Sequence, residues 1–153
     1  MTWPARANKI RWEMDRKIAR ELIGRLREDA NRICERFGLR YAALEAERAN
    51  VKRRYGICYA DGTIKIRLRH VASGRPLKYS SLVNTLCHEL AHLRHFNHGP
   101  QFRAFYQELL EWARAEGIYR PRAPRRIEAH VGEQGRVSAS KDRGAAPRQL
   151  SLF

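Results

Sequence analysis

Residues 87–99 read CHELAHLRHFNHG and hold four of the chain's six histidines, together with one glutamate. On a helix, His88 and His92 are four residues apart and turn their imidazoles the same way. Each can offer a ring nitrogen to one zinc ion at ~2.0–2.1 Å. Glu89 adjoins the first of them, so its carboxylate reaches a metal-bound water rather than the metal. This is the His-Glu-x-x-His arrangement of hydrolytic zinc sites. Zn2+ is the expected cofactor, and Glu89 the expected proton carrier between that water and a leaving amine.

A hydrolytic zinc needs three protein ligands and an open position. His95 lies seven residues after His88, about 10 Å along a straight helix, too far to share one ion. His98 follows the point where Asn97, Gly99 and Pro100 break the helix, and the turn can swing its ring back over the metal. His98 is therefore the favoured third ligand, ahead of His95, with His70 or a carboxylate as further alternatives. Cys87 points away from His88 and is expected in the core, and Cys58 reads as a small buried thiol.

Three helices and a hairpin must position these residues. From Ile10 to Phe37, the residues Met14, Ile18, Leu22, Leu26, Ile33 and Phe37 form one apolar stripe at helical spacing, and Gly38 is placed to stop the helix. The stretch RRYGICYADGTIKIRLRH alternates on both sides of Asp61-Gly62, a hairpin signal, with Ile64, Ile66 and Leu68 on one face. A third strand is expected near Arg40–Glu45, although AALEAERA fits a helix equally well. Ser80 or Ser81 can cap the helix SLVNTLCHELAHLRHF. A last helix, QFRAFYQELLEWARAEG, carries Phe102, Phe105, Leu109 and Trp112 on its inner stripe and ends at Gly117. Residues 120–153 hold eight basic and three acidic residues among Pro, Gly, Ser and Ala. Such a composition reads as a disordered tail.

HELAHLRHFNHGPQF is similar to the zinc peptidases of the YgjP-like and SprT/Spartan-like group, in which His-Glu-x-x-His is followed by a third histidine and a short run to Phe or Trp. Tyr55-Gly56-Ile57-Cys58 resembles that group's sheet segment, where Trp-Gly-Ser-Cys is commoner. The resemblance covers residues 10 to 118. It implies an α+β, minimal zincin-like domain over residues 1–119, with a long N-terminal helix, a small three-stranded antiparallel sheet, the His-Glu-x-x-His helix and a following helix. It further implies a zinc metallopeptidase with Glu89 as its catalytic residue and His88, His92 and His98 as its metal ligands.

The chain ends in RQLSLF. Gln149, Leu150, Ser151, Leu152 and Phe153 resemble the pentapeptide by which bacterial replication proteins bind the β sliding clamp. An extended segment of this kind inserts its leucines and phenylalanine into apolar pockets, with glutamine as a hydrogen-bonded handle. Lys and Arg total 31 against 16 acids, a formal charge of +15. That charge attracts polyanions, with DNA the expected partner. Arg53, Arg54, Arg122, Arg125 and Arg126 are the candidate phosphate contacts.

No apolar run approaches the ~20 residues of a membrane span, and the opening stretch has no apolar segment of a secretory signal. Three widely spaced cysteines argue against a disulfide framework. A monomer in the cytoplasm, associated with the nucleoid, is expected. In logic the combination resembles Spartan-type proteases, which degrade proteins trapped on DNA. This implies a peptidase for DNA–protein crosslinks at replication forks. The alternatives are a regulatory peptidase that cuts a repressor or partner, and a clamp- and DNA-binding adaptor with structural zinc.

Overall fold

A computed structural model of the protein describes residues 3–48 and 50–121. Arg122, Arg125, Arg126 and Gln149–Phe153 lie outside the described residues. Six elements follow in order: α1 (Trp3–Phe37), β1 (Ala43–Ala46), β2 (Gly56–Cys58), β3 (Thr63–Ile66), α2 (Tyr79–His92) and α3 (Pro100–Ala115).

The apolar stripe of α1 is buried only in its second half. Ile23, Leu26, Ala30, Ile33 and Cys34 enter the core, while Ile10 and Met14 stay exposed. The helix begins seven residues earlier than the stripe predicts. Gly38 ends it at φ +67, where the amide of Leu39 donates to the carbonyl of Cys34 at 2.9 Å. A glycine in that left-handed conformation is the common helix stop.

The three-stranded sheet is mixed, where an antiparallel one was expected. Its order is β1-β3-β2; β2 and β3 form the expected antiparallel hairpin, but β1 runs parallel to β3, with Leu44 beside Ile64 and Ala46 beside Ile66. The chain reverses once between β1 and β2 and again in the hairpin. Two reversals return β3 to the direction of β1, and β3 lies between the other two. Asp61 Oδ1 accepts from the amide of Thr63 at 2.9 Å, and Gly62 takes φ +93 at the turn. Ile64, Ile66 and Leu68 all face the core.

α2 is the hub, buried from Leu82 to Ala91 except for Asn84. It packs on α1, on α3 and on the sheet. A helix that is apolar around most of its circumference must be enclosed in this way. It starts at Tyr79 behind Lys78, and neither Ser80 nor Ser81 caps it. Instead the Tyr79 hydroxyl donates to Asp29 Oδ2 at 2.6 Å, and the Arg25 guanidinium lies 3.6 Å over the Tyr79 ring. This start is set by docking onto α1 rather than by a local cap. On α3, Phe102, Phe105, Leu109 and Ala113 are buried and Trp112 is half-buried. Among the described residues no helix is long and apolar enough to cross a membrane.

Candidate metal centre

α2 stops at His92, four residues short of the apolar run in the sequence. His95 then donates its backbone amide to the carbonyl of Ala91 at 3.0 Å, and the chain turns through Asn97-His98-Gly99 into α3. The turn carries His98 back over the end of α2. His98 Nε2 lies 3.0 Å from His92 Nε2 and 3.3 Å from His88 Nε2. Three nitrogens around a tetrahedral ion with bonds of ~2.0–2.1 Å stand about 3.3 Å apart. The three histidines thus form a group whose ligand atoms lie close enough together to hold one metal ion.

The donor set also has the right electronic state. His88 is buried, and desolvation holds its imidazole down to about 3, with His92 and His98 adding to the effect. Burial lowers His92 and His98 as well. Neutral imidazoles present lone pairs to a metal. His92 Nδ1 lies 3.1 Å from the carbonyl of His95. An Nδ1–H donating there leaves the Nε2 lone pair for the metal, the usual way a ligating histidine is oriented.

His95 therefore meets the histidine group through its backbone carbonyl. Its ring packs edge-on against Phe105, centroids 5.8 Å apart, and is not part of the histidine group. His70 is exposed and is not part of it either.

Glu89 is 1% exposed, and its Oε1 has no hydrogen-bond partner among the described residues. Burial pushes its carboxyl up to about 8, against a smaller opposing pull from Arg54. An orphaned carboxylate oxygen beside three converging imidazoles fits a site that takes a metal with its water. Glu89, His92 and His98 share a cleft of about 230 Å³ with Ile57, Cys58 and Phe96. Cys58 is half-buried and its thiol is pushed up to about 11, chiefly by burial and then by Glu89 and Asp61. Cys87 is fully buried, as expected.

Two contributors were not assigned to the site from the sequence. Phe102, fully buried, touches all three imidazoles: it stacks on His92 at 4.4 Å and meets His88 and His98 edge-on at 4.9 and 5.0 Å. Gly56 lets β2 lie against α2, because a Cβ there would meet Thr85 Cγ2 at 2.7 Å and Glu89 Cγ at 3.2 Å. Of the candidate phosphate contacts, Arg53 is exposed, and Arg54 pairs with the buried carboxylate of Glu47 at 2.9 Å.

The fold is shared with solved proteins. Wss1 from Saccharomyces cerevisiae superposes with a TM-score of 0.60 at 20% identity, covering 67% of this chain and 84% of that one. Wss1 from S. pombe superposes with a TM-score of 0.56 at 25% identity, covering 64% and 82%. Its E203Q mutant gives 0.55 at 23%, covering 63% and 85%. No curated protein matches. The WLM domain model matches residues 4–144, nearly the whole chain. The SprT-like resemblance carried by HELAHLRHFNHGPQF resolves, on these matches, into a Wss1-type fold, and the chain belongs to the WLM domain family.

Proposed function

We propose that the protein is a zinc-dependent endopeptidase that cuts proteins attached to DNA, in the repair of DNA–protein crosslinks. One observation carries this reading: His88, His92 and His98 converge at 3.0–3.3 Å beside the buried, unpartnered Oε1 of Glu89. The WLM match and the Wss1-like fold support it.

The roles follow from the placement of each group. His88, His92 and His98 hold the ion. When bound, zinc supplies a Lewis acid and a water that is acidic near neutrality. A cation held by the three histidines would favour the ionised form of Glu89, which is then the base that takes a proton at Oε1 and returns it to the leaving amine. Its burial removes competing water from that oxygen. A purely structural zinc has no use for such a base, which disfavours an adaptor. β2 is the edge of the sheet beside the cleft, and an extended peptide can pair with such an edge.

Recruitment is the second part of the proposal. Gln149–Phe153 engages a bacterial β sliding clamp, and the +15 charge holds DNA. Two weak attachments to one DNA-loaded assembly raise each other's effective concentration. The protein then works as a monomer on the nucleoid, in the cytoplasm.

The test is incubation with a DNA-crosslinked protein, with and without clamp. The parent should shorten the crosslinked protein and Glu89→Ala should not, while removal of Gln149–Phe153 should abolish only the stimulation by clamp. Equal cleavage by Glu89→Ala sinks the catalytic assignment. Equal cleavage of the same protein free of DNA points instead to a regulatory peptidase.

A further inference from the structure

A second cavity, of about 270 Å³, opens between the middle of α1, the connection from β1 to β2 and the stretch that continues β3. It shares no lining residue with the cleft around His92. Four cationic side chains line it, Arg48, Lys52, Arg67 and Arg69, against one acid, Glu47.

That acid is already neutralised. Arg54 donates to Glu47 Oε2 from Nε at 3.0 Å and from Nη2 at 2.9 Å, and Oε1 accepts from the backbone amide of Arg48 at 3.1 Å. Arg69 is paired too, with Asp15 at 3.3 Å. Arg67 differs. It is 8% exposed, its guanidinium donates to the carbonyl of Val51, and it lies 5.7 Å over the Tyr55 ring. Among the described residues no carboxylate lies within ion-pair distance of it. An arginine cannot shed its proton, and a buried charge without a counter-charge is unfavourable. Arg48 and Lys52, exposed at the mouth, have no ion-pair partner among the described residues either. Ala19, Ala46, Leu68 and Val71 supply the apolar part of the wall, and His70 and Gly74 complete it.

We propose that this cavity binds one nucleotide of a single DNA strand, its phosphodiester against Arg67, Arg48 and Lys52 and its sugar or base against Ala46 and Leu68. The proposal rests on the DNA side of the function proposed above. It moves the contact from Arg54, which is committed to Glu47, to cations whose charge is unspent. Two exposed cations beside the mouth suit the neighbouring phosphates of a continuous strand better than a free anion. A cavity of about 270 Å³ suits a single nucleotide out of the duplex stack rather than a stacked base pair.

The experiment uses the full chain carrying Glu89→Gln, so that the bound protein stays intact. Binding of a fluorescent single-stranded oligonucleotide is titrated at several salt concentrations, before and after Arg48→Glu with Lys52→Glu. Both residues are exposed, and zinc content and melting temperature check the fold. Affinity should fall about tenfold or more at low salt, and the salt slope should fall by about 1.4, since each phosphate contact on a single strand contributes ~0.7. Arg11→Glu with Arg16→Glu, an equal charge change on exposed positions of α1, should have a clearly smaller effect. An equal effect of the two pairs overturns the site, as does an unchanged affinity or a parent that does not bind the strand. So does inorganic phosphate displacing the oligonucleotide at concentrations where chloride of the same ionic strength does not, because the ligand is then a free anion. Crosslink cleavage by the chain with native Glu89 is read separately. A dispensable pocket with intact cleavage therefore condemns this site and leaves the protease reading standing.

Discussion

Phe102 stacks on His92, their ring centroids 4.4 Å apart and their planes 28° from parallel, while its edges contact the other two imidazoles of the group. One α3 side chain thus fixes the orientation of three donors from α2 and the turn that follows it. Phe102→Leu keeps apolar volume but loses the stacked face. Zinc affinity, measured by competition with a chromogenic chelator, should fall about 10–100-fold, as for other supports of metal ligands. Phe102→Ala should in addition lower stability by about 3–5 kcal/mol. Unchanged zinc affinity in both variants contradicts the orienting role.

His98 and His95 differ sharply in placement although both follow His92. His98→Ala removes a converging Nε2 and should weaken zinc binding by several orders of magnitude, with loss of peptidase activity. His95→Ala leaves the backbone carbonyl that faces His92 Nδ1 and should retain zinc at close to the parent stoichiometry. Zinc content by mass spectrometry under native conditions reads both. The reverse ranking refutes the assignment.

Gly56 faces α2 so closely that an added Cβ would lie 2.7 Å from Thr85 Cγ2 and 3.3 Å from Glu89 Oε1. Gly56→Ala should destabilise the fold by about 1–3 kcal/mol, the usual range for overpacking. It should lower kcat more than zinc content. Thr85→Ser removes the nearer methyl, so the double variant should recover stability in thermal melts; no recovery means that the clash lies elsewhere.

Metal-free protein should show an unusual pH dependence. Folded Glu89 holds its proton up to about 8, whereas an ordinary glutamate releases it near 4.5. Between those values the folded state binds more protons, so stability falls as pH rises. His88, held down to about 3 against an ordinary 6.5, acts oppositely, and stability falls as pH drops below 6.5. His92 and His98, also lowered, act in the same direction as His88. Above 6.5 the glutamate acts without opposition from these histidines. With zinc chelated, the melting temperature should drop from pH 6.5 to 8, by the equivalent of about 2 kcal/mol at most. Glu89→Gln should abolish the drop, and a parallel drop in that variant removes Glu89 as its source.

Much of the site was legible because its parts are local. His88, Glu89 and His92 need only a helix, and His98 needs only the break written in Asn97, Gly99 and Pro100. The inward alternation of Ile64, Ile66 and Leu68 was legible for the same reason. What the sequence hid depends on distant partners. Alternation marks which face of a strand is buried but not which way its neighbour runs, so β1 was placed with the wrong polarity. Met14 fits the helical stripe as well as Leu26 does, yet α1 outruns the body that could cover it. Phe102 reads as one more core residue of α3, because contact with three imidazoles leaves no mark on its spacing. Arg54 looks like any basic residue until Glu47 folds against it.

All three nitrogen donors come from eleven consecutive residues, 88–98, whereas the surroundings of Glu89 include Gly56 on the sheet, more than thirty positions away. Closing so short a loop carries little entropic penalty, and such contacts form early. Phe102 belongs to the same local unit, so the three donors and their aromatic support lie within residues 88–102. Docking of the sheet on the helix is the slower, long-range event. Assembly of the histidine group and enclosure of Glu89 are thus separable steps, one local and one dependent on the whole fold.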